Sequence, residues 1–147
     1  MNTYVDSALF VKFYIYEMDS PETIALLETL EPPHHLSPLH ELEILNAIRL
    51  KQFRGEITKP QEKAATKAFR DDLQSGFFEP ITADLLNIFI QAEKLSASYS
   101  ATFGSRSLDL WHVAAARELK CRALASYDHR QRKVAAKLGM RILPKTS

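Results

Sequence analysis

Apolar residues recur along this chain in two rhythms, short continuous bursts and longer stretches with a period of three to four, and their alternation sets the predicted elements. The bursts are Thr3 to Val5, Leu36, Phe77 to Ile81, Arg122 to Ala125 and Arg141 to Leu143. The periodic stretches predict helices over 7–17, 21–30, 38–54, 59–75, 83–100, 108–120 and 129–138. Ser20-Pro21 and Ser37-Pro38 each pair an N-cap residue with proline at the first helical position, and Thr58 with Gln61 and Asp128 with Gln131 have capping-box spacing. Gly55, Gly76 and Gly139 stand as C-terminal stops. Bursts separated by helices imply parallel strands, because each return crossing needs a covering helix. The predicted fold is therefore α/β, a three-layer α/β/α sandwich around a small parallel sheet, and 147 residues suit a single domain over 1–147.

Four carboxylates interrupt this pattern where apolar stretches begin or end: Asp6, Glu43, Asp109 and Asp128. Asp6 follows Tyr4-Val5 and Asp128 follows Ala123 to Tyr127, so both read as residues at the carboxyl end of a strand, where open parallel sheets place their ligands. The helix over 108–120 is apolar nearly all round, and Asp109 shares a face with Val113 and Ala116, which turns its carboxylate inward. First-turn placement gains only about 0.3–1 kcal/mol from the helix dipole and does not offset burial, so Asp109 needs a cation. On the helix over 38–54, Glu43 lies roughly 20–40° from Leu39 and Leu50 while Glu41 projects nearly opposite. Glu43 is thus the ligand candidate, with Glu41 open as its substitute.

Each acid also has a plain structural reading. Asp128 can cap the following helix, Asp109 can serve its own first turn, and Asp6 can pair with a lysine. Jointly those readings weaken, because clustered like charges raise one another's pKa and penalise folding unless a cation is present.

Composition narrows the chemistry. The single cysteine, Cys121, can make neither an internal disulfide nor the usual zinc site, which leaves any metal to oxygen ligands and fits a reducing cytoplasm. Residues 1–16 have no basic leader and are broken by Asp6 and Lys12, so neither a signal peptide nor a membrane span is expected. Net charge is only +1, yet residues 1–114 hold ten Lys or Arg against sixteen Asp or Glu, while residues 115–147 hold nine against two. That basic tail, from Arg117 to Lys145, is either a surface for a polyanion or an ordinary solvated face.

The runs Tyr4-Val5-Asp6-Ser7-Ala8-Leu9, Glu43-Ile44-Leu45-Asn46-Ala47, Arg106 to Ala116, Ala125-Ser126-Tyr127-Asp128 and Leu138 to Leu143, in this order along almost the whole chain, resemble the PIN-domain nucleases. The resemblance is nearest to the VapC-like toxins of toxin-antitoxin pairs. It implies an endoribonuclease that uses Mg²⁺ or Mn²⁺, with Asp6, Glu43, Asp109 and Asp128 matching the four metal-binding and catalytic acids, and Ser7 and Ser126 matching small polar residues beside them. Trp111 departs from the small or medium apolar residue of the family, and Arg130-Gln131 are more polar than usual. The resemblance further implies an RNA substrate, a cognate antitoxin laid over the early helices, where Phe10, Phe13, Tyr14 and Tyr16 are candidate contacts, and a homodimer.

Rival readings differ in their residues. His34 and His35 offer an acid and a base for metal-free cleavage through the 2′ hydroxyl, but after Pro32-Pro33 they are expected in an exposed loop. His112, one turn after Asp109, touches the site or hydrogen-bonds in the core. A haloacid-dehalogenase-type phosphatase needs a second Asp where Ala8 stands, and a response-regulator receiver needs an acid pair near the start. The non-enzymatic alternative is a PIN-like module that binds RNA or protein without cutting.

Overall fold

The computed structural model describes residues 2–145. Among them, seven helices alternate with five short strands, all paired in parallel, so the α/β class with parallel strands holds. The strands lie in two ladders, one of three strands and one of two, each in its own compact unit.

The first unit comprises Met1–Asp6 and Ile81–Ser147. It contains β1 (Thr3–Val5), α5 (Leu85–Phe103), α6 (Ser107–Glu118), β4 (Ala123–Ala125), α7 (His129–Lys137) and β5 (Arg141–Leu143), with strand order β1-β4-β5. The strands β1 and β4 are buried at every position, as expected of parallel strands covered on both faces. Val5 pairs with Ala125 and Ala125 with Leu143. Beyond that register the Asp6 amide donates to the Ala125 carbonyl at 2.9 Å and the Ser126 amide to the Leu143 carbonyl at 2.9 Å. Asp6 and Ser126 therefore leave the sheet side by side at its carboxyl edge. Arg132 holds that edge from α7, donating to the carbonyls of Ser126 at 2.6 Å, Leu143 at 3.2 Å and Pro144 at 2.7 Å. This one basic residue of the tail is thus structural, whereas Arg130 and Lys133 stay exposed.

The second unit, Ser7–Pro80, contains α1 (Ser7–Tyr14), α2 (Ser20–Glu28), β2 (His34–Leu36), α3 (Pro38–Phe53), α4 (Lys59–Ser75) and β3 (Phe78–Pro80). An aromatic cluster occupies its core: Phe10 meets Phe78 edge-on at 5.0 Å, Phe69 meets Phe78 at 5.5 Å, and Phe13 stacks on Phe77 at 5.7 Å. The caps at Ser37 and Thr58 are complete capping boxes, closed by His40 and Gln61 respectively, and α4 stops at Gly76 with φ +88.

Local expectations failed where tertiary contacts intervene. Asp19, not Ser20, is the N-cap of α2, because the Ser20 hydroxyl donates to the Lys12 carbonyl at 2.8 Å and accepts from the Glu17 amide at 2.7 Å. The helix α5 runs on to Phe103, where Gly104 at φ +66 ends it. His34 and His35 lie in β2 rather than an exposed loop, since the β3 strand pairs with them across a long sequence separation and Phe10 and Phe77 cover the His34 ring. Phe10 is fully buried and Phe13 and Tyr14 pack inside the unit, so of the four proposed docking aromatics only Tyr16, 76% exposed, stands open.

Candidate metal centre

Three of the four expected acids belong to the first unit, and two further side chains bind them into one cluster. Asp6 projects from the end of β1 and is buried. Asp109 sits in the first turn of α6, whose residues Leu110 to Ala116 are all buried, which turns the carboxylate inward as its helical face predicts. Asp128 caps α7, accepting the Gln131 amide on Oδ1 at 2.9 Å, and its own amide donates to Ser126 Oγ at 3.1 Å. The capping role does not exclude a second one, because Oδ2 of Asp128 faces Arg106.

Arg106 supplies the cation that Asp109 requires. Its Nε donates to Asp109 Oδ2 at 2.9 Å and its Nη2 reaches Asp128 Oδ2 at 3.4 Å. Burial pushes the Asp109 carboxyl above the usual carboxylate range; Arg106 opposes that rise, and the neighbouring charges of Asp128 and Asp6 add to it. Gln131, 1% exposed, donates through Nε2 to Asp6 Oδ1 at 3.3 Å and to the Asp109 carbonyl at 3.1 Å. Its amide oxygen is buried with no hydrogen-bond partner.

The sequence marks Gln131 only as a capping-box partner and as a more polar residue than the family usually has there, and Arg106 only as part of the run to Ala116. The available signals were an Arg three residues before an inward acid and a Gln at the third helical position after Asp128.

Glu43 belongs to the second unit, where its Oε1 accepts from Ser7 Oγ at 2.9 Å. Ser7 is the residue that follows Asp6 in the chain. Trp111, the departure on α6, is accommodated in the core of the first unit, where it packs on Phe89 at 5.8 Å between ring centroids. His112 takes the core role: its Nδ1 shares a hydrogen bond of 2.7 Å with the buried Tyr4 hydroxyl. Burial lowers the pKa of both His34 and His35, which sit in β2 of the second unit. Burial likewise pushes the Cys121 thiol up to about 12, the mark of an inert packed residue.

The cluster fits a hard divalent cation in two respects. Its donors are oxygens, which suit Mg²⁺ and Mn²⁺ rather than softer metals, and the like charges around a half-buried Asp109 call for positive charge. Closure is incomplete as placed: among the described residues no group of three or more His, Cys, Asp or Glu is gathered tightly enough to hold an ion. Asp109 and Asp128 lean on Arg106, and Asp6 on Gln131.

The family profile of the PIN domain matches residues 3–137, and the chain belongs to that family. PIN domains are generally nucleases, so the class is a hydrolase of nucleic acid. Among solved structures the chain is similar to the crystal structure of FitAcB from Neisseria gonorrhoeae, with a TM-score of 0.61 over 95% of both chains at 16% identity, a likeness of fold. Curated proteins gave no significant match.

Proposed function

We propose that this chain is an Mg²⁺- or Mn²⁺-dependent endoribonuclease, the toxin of a type II toxin-antitoxin pair, folded as one PIN domain over 1–147. The observation that carries the reading is the meeting of Asp6, Asp109 and Asp128 around Arg106 and Gln131 at the carboxyl edge of a parallel sheet. Glu43 is the fourth acid of this proposal, binding metal directly or through water, with Glu41 as its substitute; within the second unit Glu43 Oε1 accepts from Ser7 Oγ.

When bound, the ion supplies the charge that activates a water for in-line attack on phosphorus and stabilises the departing oxygen, which leaves a 5′ phosphate and a 3′ hydroxyl. The chain's own residues do the rest. The acids present oxygens in an array that leaves positions open for a phosphate. Arg106, 69% exposed, exchanges a carboxylate for a phosphate oxygen of the substrate. Arg130 and Lys133 on α7 add positive charge along the path of a polyanion. No covalent intermediate is needed.

The antitoxin is proposed to cover Tyr16 in the second unit, beside a groove of about 310 Å³ lined also by Ile15, Glu17, Lys51, Glu56 and Ile57. A homodimer through the open apolar residues of α5, among them Leu86, Phe89 and Ile90, completes the assembly. A cytoplasmic location belongs to the same proposal; among the described residues no helix is long and apolar enough to cross a membrane.

Incubation of total RNA with the protein tests the activity. Cleavage is expected with Mg²⁺ or Mn²⁺, absent in excess EDTA, and absent in folded Asp6→Asn and Asp109→Asn. Cleavage that survives EDTA or either substitution refutes the metal assignment. RNA binding without cleavage at saturating divalent ion supports the non-cleaving module instead.

A further inference from the structure

Gln131 meets Asp6, Asp109 and Asp128, the three candidate acids of the first unit, although nothing in its helix requires a glutamine side chain there. Its backbone amide donates to Asp128 Oδ1, and its side-chain Nε2 donates to Asp6 Oδ1 and to the Asp109 carbonyl. The cap of α7 uses only the backbone amide and would survive any side chain at this position.

The other capping boxes of the chain show what a residue at this position ordinarily does. Gln61 turns back, and its Oε1 accepts from the Thr58 amide at 2.7 Å; His40 does the same for the Ser37 amide at 3.0 Å. At α7 the Asp128 amide is satisfied by Ser126 Oγ instead, which releases the Gln131 side chain toward the acids. There it is 1% exposed, with Oε1 buried and unpartnered. A buried amide oxygen without a donor is costly and asks for one.

We infer that Gln131 is a positioning residue of the metal centre, its Nε2 fixing Asp6 against the Asp109 backbone and its buried Oε1 accepting from a donor that arrives with the ion. The inference rests on the divalent-metal reading above. A neutral amide suits this place chemically. It orients Asp6 through one oxygen without adding charge, whereas a lysine would neutralise the site and a glutamate would add to its repulsion.

Mn²⁺ binding by calorimetry, compared between wild type, Gln131→Leu and Gln131→Met, provides the test. Both substitutions keep the backbone cap and lack a donor, and each is expected to bind Mn²⁺ about 10- to 100-fold more weakly while unfolding cooperatively. In the nitrogen-proton NMR spectrum of the wild type, the Gln131 side-chain amide pair is expected to exchange more slowly than that of exposed Gln74 and to shift when Mg²⁺ is added. Wild-type affinity retained in a folded variant overturns the inference alone. Absence of binding by the wild type overturns the metal reading and the inference together. Should both variants fail to fold, the amide pair decides: a shift with Mg²⁺ supports the role, and no shift overturns it.

Discussion

Arg106 Nε lies 2.9 Å from Asp109 Oδ2, an ion pair between residues three apart at the start of α6. The arginine is 69% exposed and the aspartate 20%, so the anion is held by packing and the cation is not. A long side chain with its head in water moves readily, and an exposed pair of this kind contributes about 0–1 kcal/mol. Arg106 thus occupies the acids loosely, as a counterion that a stronger cation displaces.

Arg106→Gln should therefore tighten the response to divalent ions. The Mg²⁺ or Mn²⁺ concentration giving half of the thermal stabilisation is expected to fall several-fold, while metal-free stability changes by no more than about 1 kcal/mol. Differential scanning fluorimetry across a metal titration reads both. A weaker metal response in the variant would assign Arg106 to holding the centre together instead of competing with the ion.

Asp109 gives the metal-free protein a specific dependence on pH. Its folded pKa is raised above the ordinary 3.8, chiefly by burial, so between the two values the folded chain carries the proton more often than the unfolded one. Stability is then lost as pH rises through that window, and the penalty is complete above the folded pKa. In EDTA, Asp109→Asn is expected to be more stable than wild type near neutral pH, with the gap closing as pH falls toward 3.8. Saturating Mg²⁺ should reverse the order at neutral pH. Urea unfolding at a series of pH values measures the gap, and a wild type that is the more stable of the two in EDTA at neutral pH contradicts it.

Tyr4 and His112 form a buried hydrogen-bonded pair. Tyr4→Phe leaves His112 Nδ1 without this partner, at a cost of about 1–3 kcal/mol. Roughly 2–4 °C of melting temperature accompanies each kcal/mol in a chain of this size. The metal-induced increment of the melting temperature should be unchanged, which separates a core role for His112 from a role in the centre.

Much of this centre is local information, and that part is legible in the sequence. Asp6 and Asp128 follow apolar bursts, and a strand end followed by a helix start is written in adjacent residues. Asp109 is legible because the helix around it is apolar on every side, so an acid on the Val113 and Ala116 face must turn inward. What the sequence withholds is pairing across distance. The spacing of Asp128 and Gln131 announces a cap but not that Ser126 will take the Asp128 amide and send the glutamine to Asp6, 125 residues away. Pro32-Pro33 suggests a loop, and only the pairing of His34 with Phe78 makes β2 a strand. Ser20 looks like an N-cap until the Lys12 carbonyl and the Glu17 amide claim its hydroxyl. Glu43 was placed on its helix by periodicity, and its partner Ser7 comes from another helix.

Anomalous diffraction from crystals soaked in Mn²⁺ addresses the central claim most directly. The account predicts a manganese peak bounded by the carboxylates of Asp6, Asp109 and Asp128, with the Arg106 guanidinium moved off Asp109, and no such peak in Asp109→Asn. A saturating soak that leaves these three acids without manganese, and Arg106 still seated on Asp109, would contradict it.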